Sequence, residues 1–258
     1  MTEQEATKSL HLPYLFILLA IKLLVHLMAI FKDYGLHRDE YLYLAEGDHL
    51  LWGYMEGPPI IGWIAGLSKS LMGSSIWAAK LPVLLIGLLS IWLILELVKE
   101  MGGGKNAQLI AGMGWLFSPI FLGANHLFQP VSFNQFCWLL IGLAWVRVIN
   151  HQRNKDWYLL GLAVGIGLLT KYSIGVYLAG LSVGILLSPY RKWLLKPQAW
   201  IAVGIAWLLF LPNLFWQIHY NFPLLGHMRE LASTQLVNMT VGDFLIPQFL
   251  FHFAGTLI

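Results

Sequence analysis

Residues 157–187 read WYLLGLAVGIGLLTKYSIGVYLAGLSVGILL, and whether they form one helix or two decides the topology of the whole chain. Each half, Trp157–Leu169 and Ile174–Leu187, is short for a membrane span, which needs about 20 mostly apolar residues. Other apolar tracts are Pro13–Phe31, Ile76–Val98, Ala107–Leu122, Val131–Ile149 and Ala199–Trp216, with another starting near Phe244. If the chain turns at Thr170-Lys171-Tyr172-Ser173, one side receives Lys8, Lys99, Lys105, Arg147, Arg153, Lys155, Arg191, Lys192 and Lys196. The other side then carries Lys32, Arg38, Lys69, Lys80, Lys171 and Arg229, diluted by acidic residues. Basic residues concentrate in cytoplasmic loops, and a single long helix would move Arg191, Lys192 and Lys196 to the wrong side. The split reading therefore wins. It predicts an all-α polytopic membrane protein with about seven or eight spans.

Composition agrees. Charged residues make up 11% of the chain and apolar residues 58%, with a mean hydropathy of +0.67. Soluble domains carry about 25% charge, so too little is present here to coat a soluble surface. The lone Cys137 excludes an intrachain disulfide. The first apolar tract has spanning length and no small-residue cleavage site after it, as expected of an uncleaved signal-anchor. The chain ends at Thr256-Leu257-Ile258, partway through its last apolar tract, and this favours a truncated copy of something longer.

The split topology places a polar island, Asp33–Pro59, outside the cytoplasm. It reads DYGLHRDEYLYLAEGDHLLWGYMEGPP and holds six of the 13 acidic residues: Asp33, Asp39, Glu40, Glu46, Asp48 and Glu56. Such crowding is repulsive unless a cation or substrate sits among the carboxylates. Asp is a favoured N-cap, so Asp39 is expected to cap a short interfacial helix running to about Leu51. On that helix Asp39, Tyr43, Glu46 and Leu50 share a face. The sharper reading makes Asp39 a general base or metal ligand, and the residues alone leave both open. Pro58 and Pro59 fix a rigid turn that returns the chain to the membrane, with Glu56 held beside the Asp39 helix.

Other polar groups fall at the same face: His126 with Gln129, Lys171, and His219 with His227 and Arg229. Each histidine is by default a solvated loop residue. Lys171, in a turn at the membrane face, either snorkels to the interface or binds a lipid phosphate. Lys22 and His26 share a face of the first span, where an ionisable group usually faces the bundle interior. Phosphate-binding loops, HExxH and CxxC are absent, and Asn238-Met239-Thr240 matches a glycosylation sequon. No basic stripe points to nucleic acid.

In order and spacing these features resemble the polytopic lipid-phosphate-sugar glycosyltransferases of the C-type membrane fold. That group includes the protein O-mannosyltransferase-like family and the bacterial transferases that decorate lipid A and lipopolysaccharide core. The motifs are Asp39-Glu40-Tyr41, Gly53–Pro59, Gly73-Ser74-Ser75 with Ala79-Lys80-Leu81-Pro82, Gly161–Gly165 with Leu169-Thr170-Lys171, and Leu211–Gln217 with Phe222-Pro223. Three departures stand out. The lipid A aminoarabinose transferases have Lys before the prolines where this chain has Gly57, Ile60 replaces the usual Leu, and Lys80 replaces the frequent Arg.

The resemblance implies one transmembrane glycosyltransferase domain over 1–258, with a first extracytoplasmic loop of about 32–75, in the inner (plasma) membrane. It implies Asp39 as catalytic carboxylate with Glu40 beside it, and Glu56, Tyr43, Lys171 and Arg229 as substrate-binding residues. A divalent metal at Asp39 and Glu56 is a further expectation. The implied donor is a polyprenyl-phosphate sugar, hexosyl or pentosyl, and the acceptor a lipid, glycan or protein. The rivals are a transporter or flippase using the island as a cation site, and an inactive truncated product.

Overall fold

The computed structural model describes residues 9–32, 35–237 and 239–252, so Asp33 and Asn238 lie outside the described residues. The described chain is helical throughout. The long helices are α1 (Leu12–Ile30), α4 (Ile76–Glu100), α7 (Pro130–His151) and α10 (Pro197–His219). Between them lie α2 (Arg38–Glu46), α3 (Ile60–Met72), α5 (Lys105–Phe117), α6 (Pro119–Ala124), α8 (Asn154–Thr170) and α9 (Ile174–Leu187). A 3-10 turn (Pro189–Leu195) leads into α10, and α11 (Pro223–Thr234) and α12 (Val241–His252) follow it. Proline sits in the first helical positions of α1, α6, α7, α10 and α11, where its missing N–H costs no intrahelical bond.

Among the described residues four helices, α1, α4, α7 and α10, are long and apolar enough to cross a membrane. A fifth span results if α9 and the 3-10 turn, bent by 104°, count as one. The expected number was larger, and the difference has local causes. Pro119 divides the tract Ala107–Leu122, so α5 ends after 13 residues and α6 begins. Helix α8 has 17 residues, about 25 Å at 1.5 Å per residue, against a hydrocarbon core of about 30 Å. The split at 170–173 is observed: α8 and α9 are separate helices.

The helices form a row in which α4 packs on α1, α5 and α7, then α7 on α8, and α8 on α10. The α8–α10 crossing is close because Gly161 and Gly165 face Ala202 and Ala206. A Cβ on Gly161 would lie 2.5 Å from the Ala202 carbonyl oxygen, and small residues allow this approach in lipid. Large apolar side chains such as Phe16, Leu24, Trp207, Leu208 and Phe215 point outward, while Lys22, Lys80, Asn125 and Asn213 are buried. Pro82 lies inside α4 and leaves the Ala78 carbonyl without its helical donor. Ser68 Oγ of α3 donates to that oxygen at 2.6 Å, tying α3 to α4.

Two polar ends result. One gathers α2, α3 and the turns at 125–129 and 170–173. The other carries Arg147, which donates to Glu96 and Glu100, with His151 beside Glu100 and Arg153 on Asp156. Substituting Gly161→Ala forces the α8 and α10 backbones apart. The expected loss is about 1–3 kcal/mol, read as a lower melting temperature of the detergent-solubilised protein.

Candidate active site

The acidic island is organised around Glu40. Its side chain is fully buried and accepts both Lys80 Nζ contacts, at 2.7 and 2.9 Å. Glu40 also accepts from the Phe128 N–H at 2.9 Å and from the His37 N–H at 2.8 Å. Lys80 in turn donates to the His126 carbonyl at 3.0 Å. The expected cap is corrected here: His37, not Asp39, caps α2, and its Nδ1 accepts from the Asp39 N–H at 3.3 Å. Glu40 three residues into the motif closes a reciprocal capping box, and α2 stops at Glu46 rather than near Leu51. Glu40 was expected to act beside Asp39. With its oxygens committed to four hydrogen bonds from three donor groups, its geometry is that of a positioning residue.

Asp39 is half-buried at the start of α2. Its Oδ1 accepts from Arg38 Nε at 3.1 Å and its Oδ2 from Gln129 Nε2 at 3.2 Å. Gln129 belongs to the wall of a cleft of about 260 Å³ that also includes Tyr43, Glu46, Glu56, Pro58, Thr170, Lys171 and His227. Four stretches far apart in sequence thus meet there: α2, the Pro-Pro turn, the 129–131 segment and the 170–171 turn, with α11 closing the side. Of the expected substrate-binding residues, Tyr43, Glu56 and Lys171 line this cleft. Arg229 does not; it is exposed on α11, two residues from His227.

The electrostatics are uneven. Burial lowers the Lys171 ammonium below its ordinary value, and among the described residues its side chain makes no hydrogen bond or ion pair. Burial and then the Glu56 charge push Glu46 up to about 8. Tyr43 is raised by burial and then by the charges of Glu56, Glu46 and Asp39. Below the cleft, burial and Lys80 lower His126. Lys22 Nζ donates to Asn125 Oδ1 at 3.1 Å, so Lys22 and His26 do face the bundle interior.

A second set of bonds pins the loop to the far helices. Asn213 Nδ2 donates to the Trp52 carbonyl at 2.7 Å, and Asn213 Oδ1 accepts from the Tyr172 hydroxyl at 2.9 Å. Gln217 Nε2 donates to that hydroxyl at 3.0 Å. Gly53 permits the contact, since a Cβ there would meet the Trp216 ring at 2.5 Å. The Asn213 and Gln217 positions of the Leu211–Gln217 motif thereby hold Tyr172, and with it the turn bearing Lys171.

Among the described residues no three His, Cys, Asp or Glu side chains are grouped to hold a metal ion. Asp39 and Glu56 alone do not form a protein-built metal cage. Sequence reasoning assigned no site role to Glu46, Gln129, Thr170 or His227, which line the cleft. For Glu46 the signal was its shared face with Asp39 and Tyr43. For Gln129, Thr170 and His227 it was polarity at the end of an apolar tract.

A cleft with carboxylates at one wall and a lysine without a hydrogen bond at another, on a bundle of apolar helices, marks the chain as a membrane protein with a polar cleft at one end. Residues 56–216, more than half of the chain, match the model of the dolichyl-phosphate-mannose-protein mannosyltransferase family, and the chain belongs to that family of membrane glycosyltransferases. The match begins at Glu56, so of the expected site residues Asp39, Glu40, Tyr43 and Arg229 lie outside it. The chain is similar to lipid A galacturonosyltransferase RgtD of Rhizobium johnstonii, with 26% identity over 220 residues covering 82% of this chain and 45% of that protein. It is likewise 26% identical over 204 residues to lipopolysaccharide core galacturonosyltransferase RgtA of the same organism, covering 76% of this chain and 38% of that one. The chain thus spans less than half the length of these relatives. No solved structure matches.

Replacing Lys80 with Met strands Glu40 in the interior without its cation. Breaking a buried pair from one side costs about 3–5 kcal/mol, so Lys80→Met should melt well below the parent protein, while Lys80→Arg should recover most of the difference. Thermal unfolding in detergent measures both.

Proposed function

We propose that the chain is a glycosyltransferase that moves a sugar from a polyprenyl-phosphate donor to a lipid or glycan acceptor at the extracytoplasmic face of the inner membrane. The observation that carries this reading is the cleft itself, which brings Tyr43, Glu56 and Lys171 together beside Asp39 and its partner Gln129. Lipid A and lipopolysaccharide core, named in the relatives, are the favoured acceptors. A protein acceptor is the reading that the family description supports.

In this mechanism the acceptor hydroxyl attacks the anomeric carbon from the side opposite the phosphate. Its oxygen forms the new glycosidic bond and its proton passes to the Asp39 carboxylate. The bond from C1 to the phosphate oxygen breaks, and the electron pair leaves with the phosphate. A phosphate departs as a stable anion, so no second carboxyl must protonate it, unlike the paired acids of glycoside hydrolysis. Lys171 offsets the growing negative charge, where an unpaired, partly desolvated cation acts strongly. Arg229, exposed on neighbouring α11, is the second cation available to the phosphate. Tyr43 and Glu56 bind the sugar, and Gln129 fixes the direction of the Asp39 carboxylate. A divalent ion, where one takes part, would draw on Asp39 and Glu56 together with the donor's phosphate oxygens and would neutralise phosphate charge.

Asp39→Asn should remove general-base assistance and lower sugar transfer by about 10²–10⁴-fold with membrane insertion and melting temperature unchanged. Transfer at the parental rate would remove Asp39 from the mechanism. Solute or ion flux in proteoliposomes without any transfer from a labelled polyprenyl-phosphate sugar would replace the transferase reading with a transporter. Lys171→Met should weaken transfer of the labelled sugar while the melting temperature stays at the parental value.

A further inference from the structure

A groove of about 470 Å³ lies between α8, α9 and α10, and the mechanism does not use it. Its walls include Leu160, Val164, Leu181, Val203 and Trp207, with Ser182 the one hydroxyl among them. The groove follows from how the three helices pack. Helices α8 and α10 meet closely at Gly161 and Gly165. Helix α9 is held differently: Ile174 at its start is buried, while Val183, Leu186 and Leu187 near its end are exposed. A Cβ at Gly180 or Gly184 would touch nothing, so no close glycine contact draws α9 in. The chain then bends by 104° into the 3-10 turn, which brings Trp193 and Leu194 into the groove wall.

Depth and charge decide what fits. The groove runs along α10 from Ala199 to Phe210, about 16 Å at 1.5 Å per residue. That is close to one leaflet of a hydrocarbon core about 30 Å thick. The end away from the cleft holds Trp145, Trp157 and Trp193, whose rings lie between 6.1 and 6.3 Å apart. Indole rings favour the headgroup level of a bilayer. The 3-10 turn at that level carries Arg191 and Lys192, both exposed and without a carboxylate partner among the described residues. Lys196, next along, donates to Gln152 Oε1 at 2.7 Å and stands 5.1 Å over the Trp193 ring. A groove one leaflet deep that begins among unpaired basic groups is complementary to a lipid chain with an anionic headgroup. A polyprenyl chain hanging from a phosphate at Lys171 would enter from the other end, beside Leu168 and Phe210, and would leave those charges unanswered.

We propose that this groove binds one acyl chain of an anionic phospholipid from the leaflet opposite the cleft, with the lipid phosphate held by Arg191 and Lys192. Basic pockets among transmembrane helices hold anionic headgroups in this way. The acyl chain fills the space that α9 leaves against α8 and α10, and Trp207 closes its outer side. The lipid is a structural partner rather than a substrate, so the inference stands apart from the transferase reading.

The test titrates the delipidated chain in detergent with dioleoylphosphatidylglycerol or dioleoylphosphatidylcholine. Native mass spectrometry counts the retained lipid, and thermal unfolding follows its effect. The parent protein should retain one phosphatidylglycerol with a preference of about 10-fold over phosphatidylcholine, and its melting temperature should rise with that lipid. Arg191→Gln combined with Lys192→Gln, both on the exposed turn, should bring the two affinities together and leave the lipid-free melting temperature unchanged. Ser182→Phe fills the groove and should abolish retention of either lipid. Equal affinity in the parent, a preference that survives the double substitution, or retention that survives Ser182→Phe overturns the inference. So does a polyprenyl phosphate that displaces phosphatidylglycerol, or a dimer that Ser182→Phe disrupts, because each assigns the groove to another occupant.

Discussion

The ion pair between Glu40 and Lys80 is the constraint on which the rest of the site depends. Moving either charge out of water is expensive, and the attraction between them offsets that cost only when the remaining hydrogen-bonding capacity is also used. Here it is used. Lys80 meets both carboxylate oxygens and the His126 carbonyl, and Glu40 accepts the N–H groups of Phe128 and His37 as well. One pair thereby joins the start of α2, the first turns of α4 and the turn before α7. The same segments also share an apolar cluster in which Tyr43 and Leu44 pack with Ala79, Val83, Phe128 and Phe133. Because Asp39 is the preceding residue of the same helix, its direction follows from this anchor: Glu40 points into the bundle and Asp39 turns toward the cleft rim.

The second fixation works from the opposite side of the cleft. Asn213, Gln217 and Tyr172 connect α10, the 170–173 turn and the Trp52 carbonyl through three hydrogen bonds. The island is therefore held near its beginning by α4, along its middle by Lys69 and Trp63 of α3, and near its end by α10. The segment from α2 to the Pro-Pro turn carries Tyr43, Glu46 and Glu56. Lys171 rides on the same turn as Tyr172, so its position follows from the bonds that Tyr172 makes with Asn213 and Gln217. Helix packing in lipid lacks the hydrophobic drive available in water. Polar anchors of this kind, together with the glycine contacts at Gly47, Gly53 and Gly161, supply the specificity of fit.

Much of this was legible in the sequence. Low charge and long apolar tracts fixed the helical membrane class, and the distribution of basic residues required the break at 170–173, which is observed. The order of motifs pointed to the glycosyltransferase family. What escaped has physical reasons. The span count relied on apolar length, which does not register that Pro119 ends a helix or that α8 stops at 17 residues. Asp39 as a cap followed from its residue type, yet a histidine preceding it took that place because Glu40 could bond back to the His37 N–H. The partner of Glu40 lies 40 residues away on another helix, and no local pattern encodes such a contact. Lys80 was visible only as a substitute for Arg in a motif.

The carboxyls of α2 show most directly how position rather than residue type assigns a role. Glu40 and Glu46 are chemically identical and lie six residues apart on one short helix. Glu40, in the first turn, faces the favourable end of the helix dipole and a lysine that has been buried to meet it. Glu46, in the last turn, faces the unfavourable end, the neighbouring Glu56 charge and no cation. The first is bound into the structure, and the second is left with a shielded, unused oxygen in the cleft. Asp39 lies between these extremes, half-exposed and held by one neutral amide and one solvated guanidinium. A single nine-residue helix thus places three carboxyls in three environments: one bound to a buried cation, one half-exposed on an amide and a guanidinium, and one shielded without a hydrogen-bond partner. This division explains why six carboxylates can crowd one loop without pushing it apart.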